Sequence, residues 1–336
     1  MTAAPKLHGA RGSRSALRIR LRVKKMPAPD RSYEYHESVL LAETVERLAP
    51  APGKVFLDGT IGGGGHAAAL LAAGARVVGL DQDAEALEHA ALQLAEFGAR
   101  FQPVRSNFAE AGEVLDGLGI SEIDGALLDL GMSSRHLDAA ERGFSFMREG
   151  PLDMRMDSRG LTTAADLVNT LSAEELERIF REYGEEPAAR RIAARIARER
   201  VAKPIATTLE LAQIVESVSP RRGRAHPATR VFQALRIAVN RELEVLATGL
   251  AQITARLAIG GRFAVITFHS LEDRIVKEFF KTRSTPFLDR PEWPEARPNP
   301  DCIFRKITGK PVCAGPAEER ANPRARSAKL RVVERI

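Results

Sequence analysis

Short apolar runs alternate with helical patterns over the first part of the chain. Four of these runs are strand-like, at residues 55–57, 76–80, 101–104 and 125–130, and a stretch with helical spacing follows each of the first three. Several runs are apolar almost throughout, as expected for strands that are buried on both faces. The alternation therefore predicts an α/β fold with a doubly wound, mostly parallel sheet.

The pattern changes after the fourth run, because a long stretch then reads as helix without a convincing strand. Capping boxes mark two helix starts, Ser172 with Glu175 and Thr207 with Glu210, where each side chain would bond the backbone N–H of the other residue. Farther on, an apolar stripe at helical spacing predicts one continuous helix over residues 227–257.

The alternation then resumes, with a strand at 263–267 and a helix at 271–280. A proline-rich segment at 286–316 is typical of a loop, and a final strand is predicted at 329–334. We therefore expect an α/β domain that is interrupted by an inserted helical domain. The expected parts are a basic extension, a first sheet segment, the helical insertion and a second sheet segment, at residues 1–31, 32–132, 133–257 and 258–336.

The net charge of the chain belongs to its N-terminal stretch. The formal charge is +6, with 50 basic and 44 acidic residues, but residues 1–31 alone hold nine Lys or Arg and one Asp. The remainder has 41 basic and 43 acidic residues, so the overall charge is no evidence for nucleic-acid binding. The basic stretch fits three interpretations: a disordered arm that binds polyanions, an organellar transit peptide, or an extension upstream of a true start at Met26.

Composition excludes several classes of protein. With 44% hydrophobic and 28% charged residues, the chain is typical of a soluble globular protein. No apolar run approaches the roughly 20 residues of a transmembrane helix, which argues against an integral membrane protein. Cys302 and Cys313 are too few for a disulfide framework or a four-ligand zinc site. Two reduced thiols suit a cytoplasmic protein, and no metal site is predicted.

The first chemical feature is a glycine cluster that follows the first strand. Gly62, Gly64 and Gly65 begin a predicted helix, where a ligand can approach the backbone closely because no Cβ intervenes. Asp81 ends the next strand, 19 residues after Gly62, where an acid can hold the two hydroxyls of an adenosine ribose. Gly62, Gly64 and Ala67 also fit the dinucleotide spacing G-x-G-x-x-A. Four adjacent glycines match many patterns by chance, so a tight turn without a ligand is the alternative.

Asp58, just before this loop, decides between two cofactors. Its carboxylate would face the pyrophosphate of NAD unfavourably, whereas S-adenosylmethionine presents an ammonium and a sulfonium and no phosphate. The acid therefore favours the methyl donor. An NAD-dependent oxidoreductase stays open as an alternative on the glycine spacing alone.

The second chemical feature is Asp129, in the sequence Leu-Leu-Asp-Leu-Gly-Met-Ser-Ser at 127–134. It lies at the carboxyl end of the fourth predicted strand, where it can accept a hydrogen bond from a cofactor or a substrate amine. An acid that only caps the following turn is the alternative. Methyltransferases of exocyclic base amines often have an acid or amide, two prolines and an aromatic here, and this chain has only the acid. A stacking aromatic would come from elsewhere, such as Phe144 or Phe146.

Nine segments resemble, in order, the motifs of one family, the bacterial 16S rRNA cytosine N4-methyltransferases of the RsmH/MraW type. One of them contains the glycine loop and another contains Asp129. They cover nearly everything from Tyr35 onward, at residues 36–41, 58–66, 127–134, 141–146, 150–157, 183–186, 226–230, 268–274 and 322–327.

The resemblance implies a Rossmann-like methyltransferase domain with an inserted helical domain and S-adenosylmethionine as the methyl donor. It implies as acceptor the N4 amine of a decoding-centre cytidine, cytosine 1402 of 16S rRNA, within the small ribosomal subunit rather than in free RNA. The position that corresponds to His136 is commonly glutamine in the family. Carried over by motif, the cofactor contacts fall on Gly64, Gly65, His66, Asp81, Phe108, Asp129 and His136, beside Asp58 and Gly62 of the loop itself.

For the reaction, we expect Asp129 or a nearby backbone carbonyl to accept a hydrogen bond from the N4 amine. The lone pair of that amine is delocalised into the ring, so the amine must be oriented toward the methyl group. His269 and Asp273 are further candidates for proton transfer or RNA contact.

Three arginine clusters are candidates for binding rRNA phosphates. A solvated helix face with glutamate partners is the alternative for the first cluster. The clusters are Arg191, Arg195 and Arg198 on one helix face, Arg222 and Arg224 beside a glycine, and Arg324 and Arg326.

Two other functions stay open. One is methylation of another cytosine-containing nucleic acid, and the other is non-catalytic RNA binding by an assembly factor, which would have no need of a cofactor loop.

Overall fold

Nine strands are present in the computed structural model, which describes residues 38–132, 139–219 and 226–336. Seven of them form one sheet, and the other two form a separate hairpin. The strands are β1 (Val55–Asp58), β2 (Arg76–Asp81), β3 (Phe101–Arg105), β4 (Ile123–Asp129), β5 (Leu257–Thr267), β6 (Phe287–Leu288), β7 (Arg297–Pro298), β8 (Phe304–Lys306) and β9 (Lys329–Arg335).

The sheet has the strand order β3-β2-β1-β4-β5-β9-β8. It is parallel from β3 to β5, and β9 and β8 add two antiparallel strands at one side. The mostly parallel, doubly wound sheet is thereby confirmed. Asp58, Asp81 and Asp129 are the last residues of β1, β2 and β4. Because the carboxyl ends of parallel strands meet at one edge of a sheet, the three acids lie along the same edge.

Helices cover both faces of the sheet and also form a group of their own. Phe56 and Leu57 of β1 belong to two different cores, since successive side chains of a strand point to opposite faces. Over residues 38–132, 139–219 and 226–336, none of the helices is long and apolar enough to cross a membrane. They are α1 (Leu41–Leu48), α2 (Gly65–Ala72), α3 (Ala84–Gln93), α4 (Ala111–Gly117), α5 (Ala164–Thr170), α6 (Ala173–Glu182), α7 (Ala189–Ala202), α8 (Thr208–Val218), α9 (Thr229–Asn240), α10 (Glu242–Arg256), α11 (Ser270–Arg283) and α12 (Pro316–Ala321).

Helices α5 to α9 enclose a third core, which we call the helical core. The two helix starts predicted from capping boxes are confirmed. Ser172 Oγ accepts the N–H of Glu175 before α6, and Thr207 Oγ1 accepts the N–H of Glu210 before α8. The fully buried side chains of the helical core include Phe180, Ile192, Leu211 and Leu235.

The prediction of one continuous helix over residues 227–257 is wrong. The chain turns at Arg241, whose φ of 49° is left-handed, so two helices, α9 and α10, result. Leu235 of α9 belongs to the helical core, whereas Leu246 and Leu250 of α10 pack on the sheet. Both cores require apolar residues at helical spacing. The apolar stripe therefore continues through the bend, and the sequence pattern shows no break there.

The proline-rich segment at 286–316 is more structured than the predicted loop, because it contains β6, β7 and β8. Asn299 closes the base of the hairpin: its buried Nδ2 donates to the carbonyl oxygens of Thr282 and Thr285, both at 2.8 Å. Strands of two or three residues are too short to show a period in the sequence. The predicted final strand is confirmed as β9, which pairs with both β5 and β8.

Candidate active site

Asp58 occupies the end of β1 and is almost fully buried, with 1% of its surface exposed. Its Oδ1 accepts the N–H of Thr60 at 3.2 Å. Burial raises the pKa of Asp58 to about 7, the nearby Asp81 carboxylate adds to the rise, and the Thr60 hydrogen bond opposes it. Near neutral pH this carboxyl is therefore divided between its protonated and ionised forms.

The glycine loop turns sharply directly after Asp58. Gly62 and Gly64 have φ of 47° and 82°, in the left-handed region that favours glycine. A Cβ on Gly65 would collide with Ser38 Oγ, whereas a Cβ on Gly62 would meet only the Thr60 carbonyl oxygen, at 3.9 Å. The loop is thus closed on the side of Ser38 and open above Gly62, where a ligand can reach the backbone.

Asp81 is held by two backbone N–H groups. Its Oδ2 accepts the N–H of Gly62 at 3.0 Å, and its Oδ1 accepts the N–H of Asp83 at 2.9 Å. The first bond joins the end of β2 to the glycine loop. A carboxylate fixed in this way is preorganised to accept hydrogen bonds from a ribose.

Asp129 lies at the end of β4, and its backbone N–H donates to Thr60 Oγ1 at 2.6 Å. Its side chain is 23% exposed, yet its Oδ1 is a buried atom that has no hydrogen-bond partner among the described residues. Desolvation raises the pKa of Asp129 well above the usual carboxyl range, and the carboxylates of Asp58 and Glu272 raise it further. An acceptor that no protein group satisfies is suited to a ligand N–H or O–H.

His66, in the first turn of α2, is buried beside Asp129. One ring nitrogen, Nε2, lies 3.1 Å from the Val39 carbonyl oxygen, which requires the proton to be on Nε2. The other, Nδ1, lies 3.6 Å from Asp129 Oδ2. Burial lowers the pKa of His66 to about 4, so the ring is neutral at physiological pH and the pair is not an ion pair.

Phe108 follows β3 and is half-buried. Its ring edge lies where a Cβ on Gly249 of α10 would be, and its own Cβ approaches Gly59, next to Asp58. The structure therefore places Phe108 as packing between the loop and α10, and its cofactor contact stays a prediction.

His269 and Asp273 lie at the start of α11, and both have protein partners. The ring of His269 caps the helix, with Nδ1 accepting the N–H of Glu272 at 3.4 Å and Nε2 lying 3.0 Å from Glu272 Oε1. Asp273 is ion-paired with Arg331 at 2.8 Å and with Lys329 at 3.4 Å, and the pKa of this partly buried carboxyl is lowered by these cations. These contacts make Asp273 a poor proton acceptor.

Glu242, His269 and Glu272 are the described residues that approach a metal-binding arrangement, with one ligand atom of each within 4.8 Å of the others. The Arg236 guanidinium already bonds both oxygens of Glu242, each at 2.8 Å. Arg236 and Glu242 both have side chains about 90% buried, so a cation is built into the cluster by the chain itself.

Sequence reasoning missed Thr60 and Glu272. Thr60 lies within the matching segment 58–66 and joins the glycine loop to Asp129 through a single hydroxyl, a contact that the segment itself does not indicate. Glu272 accepts the backbone N–H groups of Phe268 and His269, at 2.8 and 3.2 Å. The spacing of His269 and Glu272 is that of a capping box and could have identified the second residue.

The other residues that were predicted to contact the RNA or the cofactor differ in their burial and in their partners. Phe144 is buried in the helical core and is not available to stack on a base. Phe146 is partly exposed and stacks on His226, with ring centres 4.5 Å apart. Arg195 is ion-paired with Glu199 at 2.8 Å, as the alternative for that cluster anticipated. Arg191, Arg198 and Arg326 are exposed, Arg324 is half-buried, and His136, Arg222 and Arg224 lie outside the described residues.

Replacing Thr60 with valine is expected to destabilise the protein by about 1–3 kcal/mol, because the N–H of Asp129 then loses its acceptor. Urea unfolding measures the change, and Thr60→Ser, which retains the hydroxyl, is the matched control. Equal stability of the valine and serine variants would show that this hydrogen bond contributes nothing to the loop.

The fold and this edge of the sheet together define a class, the S-adenosylmethionine-dependent methyltransferases. An open glycine turn, a fixed acid at the end of β2 and an Asp129 oxygen without a hydrogen-bond partner in the described part of the chain fit a ligand with a ribose and positive charge. The MraW methylase family matches residues 33–336, and the chain belongs to that family.

Close relatives carry the name ribosomal RNA small subunit methyltransferase H. The protein of that name from Syntrophotalea carbinolica is 53% identical over 307 residues, which cover 90% of this chain and 98% of the relative. Those from Trichlorobacter lovleyi and Geobacter sulfurreducens are 50% and 51% identical over 308 and 307 residues, with 90% of this chain and 98% and 99% of the relatives covered. The resemblance found from nine sequence segments is confirmed, together with the expectation of an enzyme that uses S-adenosylmethionine.

Proposed function

We propose that the chain methylates the N4 amine of cytosine 1402 in 16S rRNA, within the small ribosomal subunit in the cytoplasm. The observation that carries this proposal is the buried Oδ1 of Asp129, which no other described residue satisfies, at the edge where the glycine loop lies. The names of the relatives support an rRNA substrate of the small subunit. A carboxylate is better placed next to the amine that receives the methyl group than a cationic side chain would be, because that amine must give up a proton.

The residues at the sheet edge divide the work of binding the cofactor. Asp81 accepts hydrogen bonds from the ribose hydroxyls, and the open backbone above Gly62 leaves room for the adenosyl group. Asp58 supplies negative charge close to the amino-acid end. When bound, S-adenosylmethionine supplies a methyl group on a sulfonium that is already a good leaving group, so the chain needs no acid to activate it.

Asp129 acts on the acceptor. Its Oδ1 accepts a hydrogen bond from the N4 amine and so aims the nitrogen at the methyl carbon; orientation of this kind can contribute roughly 7–11 kcal/mol in favourable cases. As the N4–methyl bond forms and the sulfur–methyl bond breaks, the amine becomes more acidic and its proton passes to the Asp129 carboxylate. The raised pKa of Asp129 suits a group that takes up this proton.

Arginines of α7 support the RNA contact. Within the described part of the chain, no carboxylate forms an ion pair with Arg191 or Arg198, and both side chains are exposed. We also propose phosphate contacts for Arg195, Arg324, Arg326, Arg222 and Arg224, the last two of which lie outside the described residues. Binding through these cations should weaken as the salt concentration rises.

The test is nucleoside mass spectrometry of small-subunit rRNA from cells that lack this protein. We expect N4-methylcytidine at position 1402 to disappear, to return with the wild-type gene and to stay absent with Asp129→Ala. Unchanged N4-methylcytidine in the deletion strain would refute the proposal. Loss of methylation from another nucleic acid instead would assign a different cytosine as the substrate.

A further inference from the structure

Arg142 forms a clamp between the end of β2 and the segment that leads into the helical core. Its Nη1 donates to Asp83 Oδ2 at 2.9 Å, and its Nη2 donates to the carbonyl oxygens of Arg155 and Met156 at 3.1 and 3.0 Å. The side chains of Arg142 and Asp83 are only 18% and 7% exposed. Three bonds from one planar group in a partly buried place suit a guanidinium and no other side chain.

On the sheet side, the clamp reaches the acid that binds the cofactor. The N–H of Asp83 donates to Asp81 Oδ1 at 2.9 Å, while Asp83 Oδ1 caps α3 by accepting the N–H of Glu85 at 3.1 Å. Asp81 Oδ2 accepts the N–H of Gly62. One of the two N–H groups that orient Asp81 thus belongs to the residue that Arg142 holds.

On the other side, the clamp is fixed to the helical core. The N–H of Met156 donates to Asn240 Oδ1 at 2.8 Å, and Asn240 Nδ2 donates to the Met154 carbonyl oxygen at 2.8 Å. Asn240 is the last residue of α9. Met154 has a left-handed φ of 64°, a costly conformation for a residue with a side chain, so the segment is held there by its surroundings.

We propose that Arg142 is a positioning residue for cofactor binding: it holds Asp83, and through Asp83 the carboxylate of Asp81, against the helical core. The inference rests on the proposed place of the cofactor ribose at Asp81. Arg142 itself touches neither the ribose nor the reacting amine. Through these contacts Arg142 fixes the position of Asp81 and of the glycine loop relative to α9.

Titration calorimetry of the full-length protein with S-adenosylhomocysteine tests this inference. Arg142→Met removes all three hydrogen bonds and retains a long side chain. We expect it to weaken the affinity by about tenfold or more, because the buried Asp83 carboxylate loses the Arg142 guanidinium and no longer fixes Asp81. Asp83→Asn cuts the same contact from the other side, and asparagine also caps helices, so α3 is retained. It should weaken binding to a similar extent.

The matched control is Arg159→Met. Arg159 is ion-paired with Asp157 near the clamp, with 61% of its side chain exposed, and it has no bond to Asp83. We expect wild-type affinity from it. The double variant Arg142→Met/Asp83→Asn should bind S-adenosylhomocysteine no more weakly than the single variant with the lower affinity. Both changes remove the same contact between Arg142 and Asp83.

A purely structural role predicts a different result. Arg142→Met would then lower the melting temperature and leave the affinity for S-adenosylhomocysteine unchanged, and this result would overturn the inference. Wild-type affinity in Asp83→Asn would overturn it equally. The titration contains no RNA, so a protein that binds S-adenosylhomocysteine but leaves cytosine unmethylated would refute the proposed function and not the role of Arg142.

Discussion

Replacing Asp129 with alanine is expected to lower the rate of cytosine methylation by about 10²–10⁴-fold, the range over which a positioned proton acceptor contributes. The reason is the geometry at the end of β4, where Oδ1 is buried and has no partner among the described residues. The loss should fall on kcat more than on the KM for the RNA, because the bond to the amine strengthens as the proton is released. Single-turnover methylation of small subunits lacking the methyl group measures the effect.

Two further variants separate the parts of this prediction. Asp129→Asn retains an acceptor oxygen but not the carboxylate, so it should keep orientation and lose proton uptake. Asp289→Asn, an exposed acid on the separate hairpin, is the control and should behave as wild type. If Asp129→Asn binds S-adenosylhomocysteine normally and methylates at the wild-type rate, Asp129 is not the proton acceptor.

The pH profile gives an independent check on the same residue. The carboxylate form of Asp129 accepts the proton, so the rate should fall as the pH falls through the pKa of Asp129. Desolvation and the charges of Asp58 and Glu272 place that pKa well above the usual carboxyl range. Asp58 and Asp129 influence each other, so the profile belongs to the pair rather than to either residue.

The three acids of the site could be predicted because each ends a strand. Apolar runs locate strands, and in a parallel sheet the residue after such a run lies at the ligand-binding edge. Asp58, Asp81 and Asp129 follow from that rule together with the glycine loop. The same rule gives no information about side-chain contacts across the edge.

Two of the residues that sequence reasoning missed, Thr60 and Arg142, act between segments that are far apart in the chain. Thr60 supports Asp129 from 69 positions away, and Arg142 supports Asp83 from 59 positions away. Neither contact leaves a local pattern, since only the fold brings the partners together. The bend at Arg241 was missed for a related reason: the apolar stripe serves two cores in turn and shows no break.

The buried acid at the end of β1 implies a cost in stability that depends on pH. The unfolded chain releases the Asp58 proton near pH 4, but the folded protein keeps it to about pH 7. Between these values the folded state holds more protons, so stability falls as the pH rises. A difference of about three pKa units corresponds to about 4 kcal/mol.

Asp58→Asn is therefore expected to stabilise the cofactor-free protein relative to wild type at pH 8 and not at pH 4.5. Asparagine has no proton to release, so the difference in unfolding free energy between the two proteins should grow by about 3 kcal/mol over that range. Urea unfolding at several pH values measures it, with Asp289→Asn as the control. A difference that does not change with pH would mean that Asp58 ionises in the folded protein as it does in water.

A cationic ligand explains why the chain retains such an acid. At pH 8, S-adenosylmethionine brings a sulfonium and an ammonium toward the ionised Asp58 and offsets its desolvation. The cofactor should therefore raise the stability of the wild type more than that of Asp58→Asn, and the gap should narrow toward pH 5, where Asp58 is protonated. S-adenosylhomocysteine has no sulfonium charge, so its stabilisation of the two proteins should differ less. Equal responses to both ligands would place Asp58 outside the reach of the sulfonium and leave its burial a matter of the fold alone.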